Sequence, residues 1–238
     1  MCLNNWGGID HKVLEFHEYV NLFSGKSGSG KSTVMDAIQV ILYGSFSPSF
    51  LNKAADDAKN RRSVLSYLRG EQKDGSANRK DCDFCSVIAL EIEDTGTHII
   101  TCIGIAFEVR KSDSEIKKFV YFSHSGKMPE SEYLTEQGVC YSNQEIKKLV
   151  SARTKSDDNR GKGEVNRIYG SKEAYLGTLY DVILGYIDQN RFITMEKSAI
   201  ALKMTNGTGQ FIRDYMFPKN TSNTIAAISE QLDSYRQI

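Results

Sequence analysis

The sequence predicts an α/β fold of the P-loop NTPase type, and three observations predict it. A glycine-rich loop runs straight into an apolar helix, a short strand-type run leads into that loop, and alternating runs downstream read as an antiparallel β-meander. The composition agrees: 238 residues, 40% hydrophobic, with 30 Lys and Arg balanced by 30 Asp and Glu, suit one large globular domain or two small ones. Zero formal charge provides no global attraction to nucleic acid, so any such contact must be local. No apolar run approaches the roughly 18 residues that cross a bilayer, and MCLNNWGGID lacks the charged and apolar parts of a secretory signal. The expectation is a cytoplasmic chain, nucleoid-associated if bacterial, without membrane contact.

The first elements read as strands over Val13–Phe16 and Val20–Phe23. Residues 25–33, GKSGSGKST, then fill the G-x-x-x-x-G-K-[ST] pattern, which arises by chance in a chain of this length only about once in a hundred. Each residue type has a physical task there. Gly25, Gly28 and Gly30 let the backbone turn its N–H groups inward without a β-carbon in the way; Lys26, Ser27, Ser29 and Thr33 complete the cradle. Lys31 places a cation between terminal phosphates, and Ser32 offers a hydroxyl to magnesium. The expected ligands are ATP and Mg2+.

Ser32–Tyr43 carries Val34, Ala37, Ile38, Ile41 and Leu42 at helical spacing, with Gly44 as the stop. Residues 51–83 mix both signs of charge and predict a solvated loop. Strands are expected over 87–93, with Ile88, Leu90 and Ile92 on one face, then over His98–Val109 after a turn at Asp94-Thr95-Gly96, and over Lys118–Phe122. The polar stretch 151–167 predicts a mobile loop, its basic residues available to a phosphate backbone. A helix capped by Ser171 should end near Gly185, with Ala174, Leu176, Leu179, Tyr180 and Ile183 buried. Finally, Ile225, Ile228, Leu232 and Tyr235 are spaced 3, 4, 3, as on a coiled-coil seam.

The five cysteines are odd in number and scattered, and read as free thiols in a reducing compartment. Cys82 and Cys85 have half of a zinc-site spacing without a second pair to complete it.

The guanine-reading N-K-x-D element is absent, since Asn52-Lys53 is followed by Ala54-Ala55. A meander after the P-loop helix suits ABC-type ATPases better than a kinase. The run from Leu3-Asn4-Asn5-Trp6-Gly7 through GKSGSGKSTVMDAIQVILYG resembles the amino-terminal head segment of SMC-type ATPases. More narrowly, Asn52-Lys53-Ala54-Ala55 with Arg62–Gly70, Leu184–Asp188 with Arg191-Phe192, and Phe211–Tyr215 resemble the MukB-like SMC subunits (JetC or MksB) of Wadjet and Mks plasmid-defence condensins. Ser27 stands where SMC proteins more often have Asn.

The resemblance implies an ABC/SMC-type head lobe, with the meander beside a parallel sheet, and by position after the P-loop helix it implies that Arg61 or Arg62 contacts phosphate or DNA. Residues 1–220 would be the amino-terminal head segment and 221–238 the start of a coiled-coil arm. It also implies partners: the carboxy-terminal half-head of the same protein, a second SMC head in a homodimer, a kleisin-like subunit, and DNA. A Walker B strand and a signature helix are missing; Val182–Asp188 imitates the former but has Gln189 in place of the catalytic Glu. No catalytic residue is therefore assigned, and this polypeptide alone is expected to hydrolyse ATP negligibly. The Gln that touches magnesium in such heads has three candidates, Gln137, Gln144 and Gln189. Three alternatives stand beside this reading: a repair-type SMC relative with a nuclease partner, a self-contained P-loop phosphotransferase, and a non-catalytic binding module whose P-loop is structural.

Overall fold

The computed structural model describes residues 1–26, 28–48, 51, 62–72, 74–156 and 165–200. The chain divides into two units, residues 1–187 and a second that begins at Asp188. The first is built on one six-stranded sheet, comprising β1 (Cys2–Trp6), β2 (Ile9–Val13), β3 (Phe84–Glu93), β4 (Ile100–Val109), β5 (Lys118–Ser125) and β6 (Arg167–Tyr169). The strand order is β2-β1-β3-β4-β5-β6, and every neighbouring pair is antiparallel.

The three central strands form where β-branched and aromatic residues alternate, and Asp94 reverses the chain between two of them. Its carboxylate accepts the backbone N–H groups of Gly96 and Thr97 at 2.8 and 2.9 Å, and these bonds hold its pKa below the usual carboxylate value. Register then decides the faces. Cys2, Val87, Ala89, Ala106 and Phe122 share one side and pack with Tyr133, Cys140, Ile146 and Val150. The last two belong to α3 (Asn143–Ser156), which covers that side. Leu3, Ile88, Ile105, Phe107 and Tyr121 point the other way, where α1 (Lys31–Tyr43) lies against β3 and β4. Burying a side chain such as Phe107 or Phe122 is worth about 2–3 kcal/mol. Exposed ion pairs such as Lys111–Asp81 contribute about 0–1 kcal/mol, so packing on the two faces, rather than surface charge, holds the unit together.

α1 starts and stops much as its sequence predicts, with Gly44 left-handed at φ 52 as the C-terminal cap. The meander is also where it was expected. Five expectations change. Val13–Phe16 is strand only at Val13, the last residue of β2. The stretch 51–83 is not one solvated loop: its described part holds a helix over Val64–Arg69 with Val64, Leu65 and Leu68 buried, and Arg79 is buried too. Val20–Phe23 is not a strand: among the described residues no strand pairs with it, and Val20 and Leu22 are 76% and 89% exposed. Consequently no parallel strand pair exists among the described residues, and β1 joins the meander instead by pairing with β3. The stretch 151–167 is not one loop, because α3 continues to Ser156 and β6 begins at Arg167.

The helix after Ser171 also differs. Ser171 caps it as expected, its hydroxyl accepting the Ala174 N–H at 3.2 Å, but the α-helical part, α4 (Lys172–Gly177), gives way to a π-helix over Thr178–Ile183. Ala174 is exposed and Ile183 half-buried, while Leu176, Leu179 and Tyr180 are buried as expected and Tyr175 joins them in the core. In the second unit the described part is α5 (Gln189–Ile200), with the Asp188 carboxylate accepting the Arg191 N–H at 2.8 Å. The proposed seam at 221–238 lies outside the described residues.

Candidate nucleotide-binding loop

The loop before α1 turns on left-handed glycines. Gly28 and Gly30 have φ of 83 and 89, and Gly25 has φ 154, conformations that side-chain-bearing residues rarely adopt. A β-carbon on Gly25 would also lie 2.7 Å from the Ser29 hydroxyl. The Ser29 N–H closes the turn on the Lys26 carbonyl at 3.2 Å. Ser27 lies outside the described residues.

Gly30 is the N-cap of α1, and no side chain caps the helix there. The first bond runs from Val34 N–H to the Gly30 carbonyl at 3.1 Å, so the N–H groups of Lys31, Ser32 and Thr33 have no acceptor within the helix. With no acidic residue in the first turn, the helix presents roughly half a positive charge to the loop. The Lys31 ammonium folds back over the loop, donating to the carbonyls of Gly25 (2.7 Å) and Lys26 (2.9 Å) and to the Ser29 hydroxyl (3.2 Å). Ser32 is exposed beside it and Thr33 is half-buried. First-turn N–H groups without a helical acceptor, a lysine ammonium and an exposed hydroxyl at one helix end fit a polyphosphate with its magnesium.

Two aromatic residues hold the first turn of α1 against the sheet. The Trp6 indole N–H donates to the Thr33 carbonyl at 2.9 Å, and the Trp6 ring stacks on Tyr67 with centroids 5.0 Å apart. Tyr67 belongs to α2 (Val64–Arg69) and donates its hydroxyl to the buried carboxylate of Asp36, one turn further along α1. Gly7 fits closely here: a β-carbon on it would come within 2.5 Å of the Thr33 methyl group, and its φ is 59. These contacts were not legible as function, because nothing in the spacing of Trp6 and Tyr67 names their partners.

Arg62 lies in this layer, its guanidinium 5.6 Å from the centre of the Tyr67 ring. Arg61 lies outside the described residues. Other basic residues of the charged stretch are structural: Arg79 is buried and bonds to Leu68 and Gly7 carbonyls and to Asp10, while Arg69 holds the Lys111 and Asp113 carbonyls. In the other polar stretch, Arg153 donates to the Lys127 carbonyl at 3.2 Å and Arg167 lies over the Tyr169 ring.

Val182–Asp188 forms the end of the π-helix and a turn in which Gly185 and Tyr186 are left-handed, so it is not a Walker B strand. Gln144 sits on α3, across the sheet from α1, and Gln137 lines a groove of about 970 Å³ that α3 also lines. That groove shares no residue with the glycine loop. Gln189 opens α5 in the second unit. Among the described residues no group of three or more His, Cys, Asp or Glu side chains is placed to hold a metal ion, and all five cysteines are free thiols.

A left-handed glycine loop, a bare helix N-terminus and a lysine folded over both define a P-loop nucleotide-binding region. Comparison with known families agrees: residues 1–58 match the family model described as the P-loop containing region of AAA domain. No curated protein matches the chain. No helix among the described residues is long and apolar enough to cross a membrane.

Proposed function

We propose that this chain is the ATP-binding part of a composite ATPase head of the SMC type, which another segment completes before ATP is hydrolysed. The carrying observation is the uncapped first turn of α1 beneath the Lys31 ammonium, the arrangement a β,γ-phosphate pair requires. Lys31 and the loop N–H groups would hold the phosphates, and Ser32 would ligate Mg2+. Support for a composite site comes from the approach to the loop, where Tyr19, Val20 and Leu22 are more than three-quarters exposed along a segment that pairs with no strand among the described residues. Apolar side chains beside unpaired backbone are what an incomplete sheet offers to a further strand.

On this reading the missing strand and the hydrolytic Glu come from the carboxy-terminal half-head. A second head would close the nucleotide between them, and a kleisin-like subunit would join the heads. DNA would be the polymer handled, in plasmid defence or chromosome organisation, as the resemblance to MukB-like condensins implies. The tests use the 238-residue chain with and without that half-head. Mg-ATP should raise its melting temperature in a Lys31-dependent way, and steady hydrolysis should appear only when the second half is added. Steady hydrolysis by this chain alone, abolished in Lys31→Ala, would overturn the composite site, whereas Lys31-dependent phosphorylation of an acceptor without the second half would identify a self-contained phosphotransferase.

A further inference from the structure

The last four carbonyls of a helix have no N–H partner within it, and a buried C-terminus must find donors elsewhere. α1 finds three at its end, all tyrosine hydroxyls from distant parts of the chain. Tyr175 of α4 donates to the Ile41 carbonyl at 2.9 Å, and Tyr180 of the π-helix donates to the Leu42 carbonyl at 3.0 Å. Tyr121 of β5 donates to the carbonyl of the capping Gly44 at 2.6 Å. Tyr121 stacks on Tyr175 with ring centroids 4.6 Å apart. All three are buried, and burial pushes the Tyr121 and Tyr180 hydroxyls up to about 12, so they remain donors across the physiological range.

Tyr175 and Tyr180 come from successive helical segments, α4 and the π-helix, and their hydroxyls reach adjacent carbonyls of α1. Trp6 and Tyr67 hold the opposite end of α1, so the helix is fixed at both ends.

We infer that Tyr121, Tyr175 and Tyr180 are positioning residues for the phosphate site: they fix α1 along and about its axis, so that the bare N–H groups of Lys31–Thr33 and the Lys31 ammonium meet the phosphates in register. The inference rests on the nucleotide-binding reading of the loop. Its test is the Tyr175→Phe/Tyr180→Phe pair, which keeps the ring packing and removes only the two donors. The full chain is titrated with Mg-ATP, pyrophosphate and adenosine well below its melting temperature. Val150→Ala, on the α3 side of the sheet, serves as a comparator that loses stability without touching α1.

The expected result is about tenfold weaker binding of ATP and of pyrophosphate in the tyrosine pair, with the comparator binding as wild type does. If the pair does not fold, each single substitution should weaken binding about threefold. Wild-type affinity in the tyrosine variants, or equal weakening in the comparator at equal loss of melting temperature, would overturn the inference and leave the loop's function standing. Absence of any Lys31-dependent binding in the wild-type chain would overturn both.

Discussion

The indole N–H of Trp6 lies 2.9 Å from the carbonyl of Thr33, tying the end of the first strand to the first turn of the P-loop helix. Trp6 is fully buried and stacked on Tyr67, so the bond forms away from competing water. Trp6→Phe keeps an aromatic ring there but removes the donor and leaves a gap. It should cost about 2 kcal/mol of unfolding free energy in urea titrations, with the slope unchanged. Loss of under about 0.5 kcal/mol would show that the tie contributes nothing.

His124 provides a pH dependence with a defined sign. Its Nδ1 faces the Ser125 carbonyl at 3.1 Å and its Nε2 faces the Tyr133 hydroxyl at 3.0 Å, so the neutral ring donates at the first and accepts at the second. Burial, the largest effect, and the nearby Arg153 guanidinium lower its pKa, against the opposing effects of the Ser125 hydrogen bond and Glu91. Above about pH 6.5 both folded and unfolded chains carry a neutral ring and no stability is lost. As pH falls from there toward the lowered folded value, the unfolded chain takes the proton first, and stability falls by up to about 1.4 kcal/mol per pH unit. Thermal melts of His124→Gln should show a shallower decline over that window than wild type.

The cysteines should separate cleanly by reactivity. Cys82 is exposed, whereas Cys2, Cys102 and Cys140 are buried. Burial pushes the Cys2 and Cys102 thiols up to about 12, and that of half-buried Cys85 to about 11, so few of them are thiolate at pH 8. A disulfide reagent added to the native protein should modify Cys82 rapidly and the three buried thiols only on unfolding. Fast modification of four or five would contradict the packing of the α3 face.

Leu22 and Leu3 give opposite expectations for the same change. Leu22 is 89% exposed and Leu3 is fully buried. Leu22→Asp should alter stability by no more than about 0.5 kcal/mol. It should also abolish capture of the carboxy-terminal half-head in a pull-down. Leu3→Asp should prevent folding by burying an unpaired charge.

The glycine loop, α1 and the central strands were legible because each is specified locally. Gly25 to Ser32 answers one ligand's chemistry, α1 shows its period and its Gly44 stop, and Asp94-Thr95-Gly96 is a turn by side-chain bonding. Other features depend on residues far away. Val20–Phe23 has the composition of a strand, yet pairing needs a neighbour, and none lies beside it among the described residues. The π-helix over Thr178–Ile183 reads locally as ordinary helix, because nothing in its residue spacing marks i→i+5 bonding. The tyrosines, Trp6 and Tyr67 have no periodic signature either. Arg79 looked like one more solvated charge in a mixed run; its burial depends on Gly7 and Leu68 carbonyls that the local pattern does not reveal.

The pairing of β1 with β3, which sets Cys2 opposite Ala89, has a kinetic consequence. The hairpins β3-β4 and β4-β5 join residues near one another in sequence and can close early, whereas β1 must wait for a long loop to close. α1 lies inside that loop, and its seat comprises Trp6 on one side and β3 and β4 on the other. The helix therefore gains its seat only when β1 docks, and competence to bind phosphate should be the last property to appear during refolding, after most of the sheet's circular dichroism has returned.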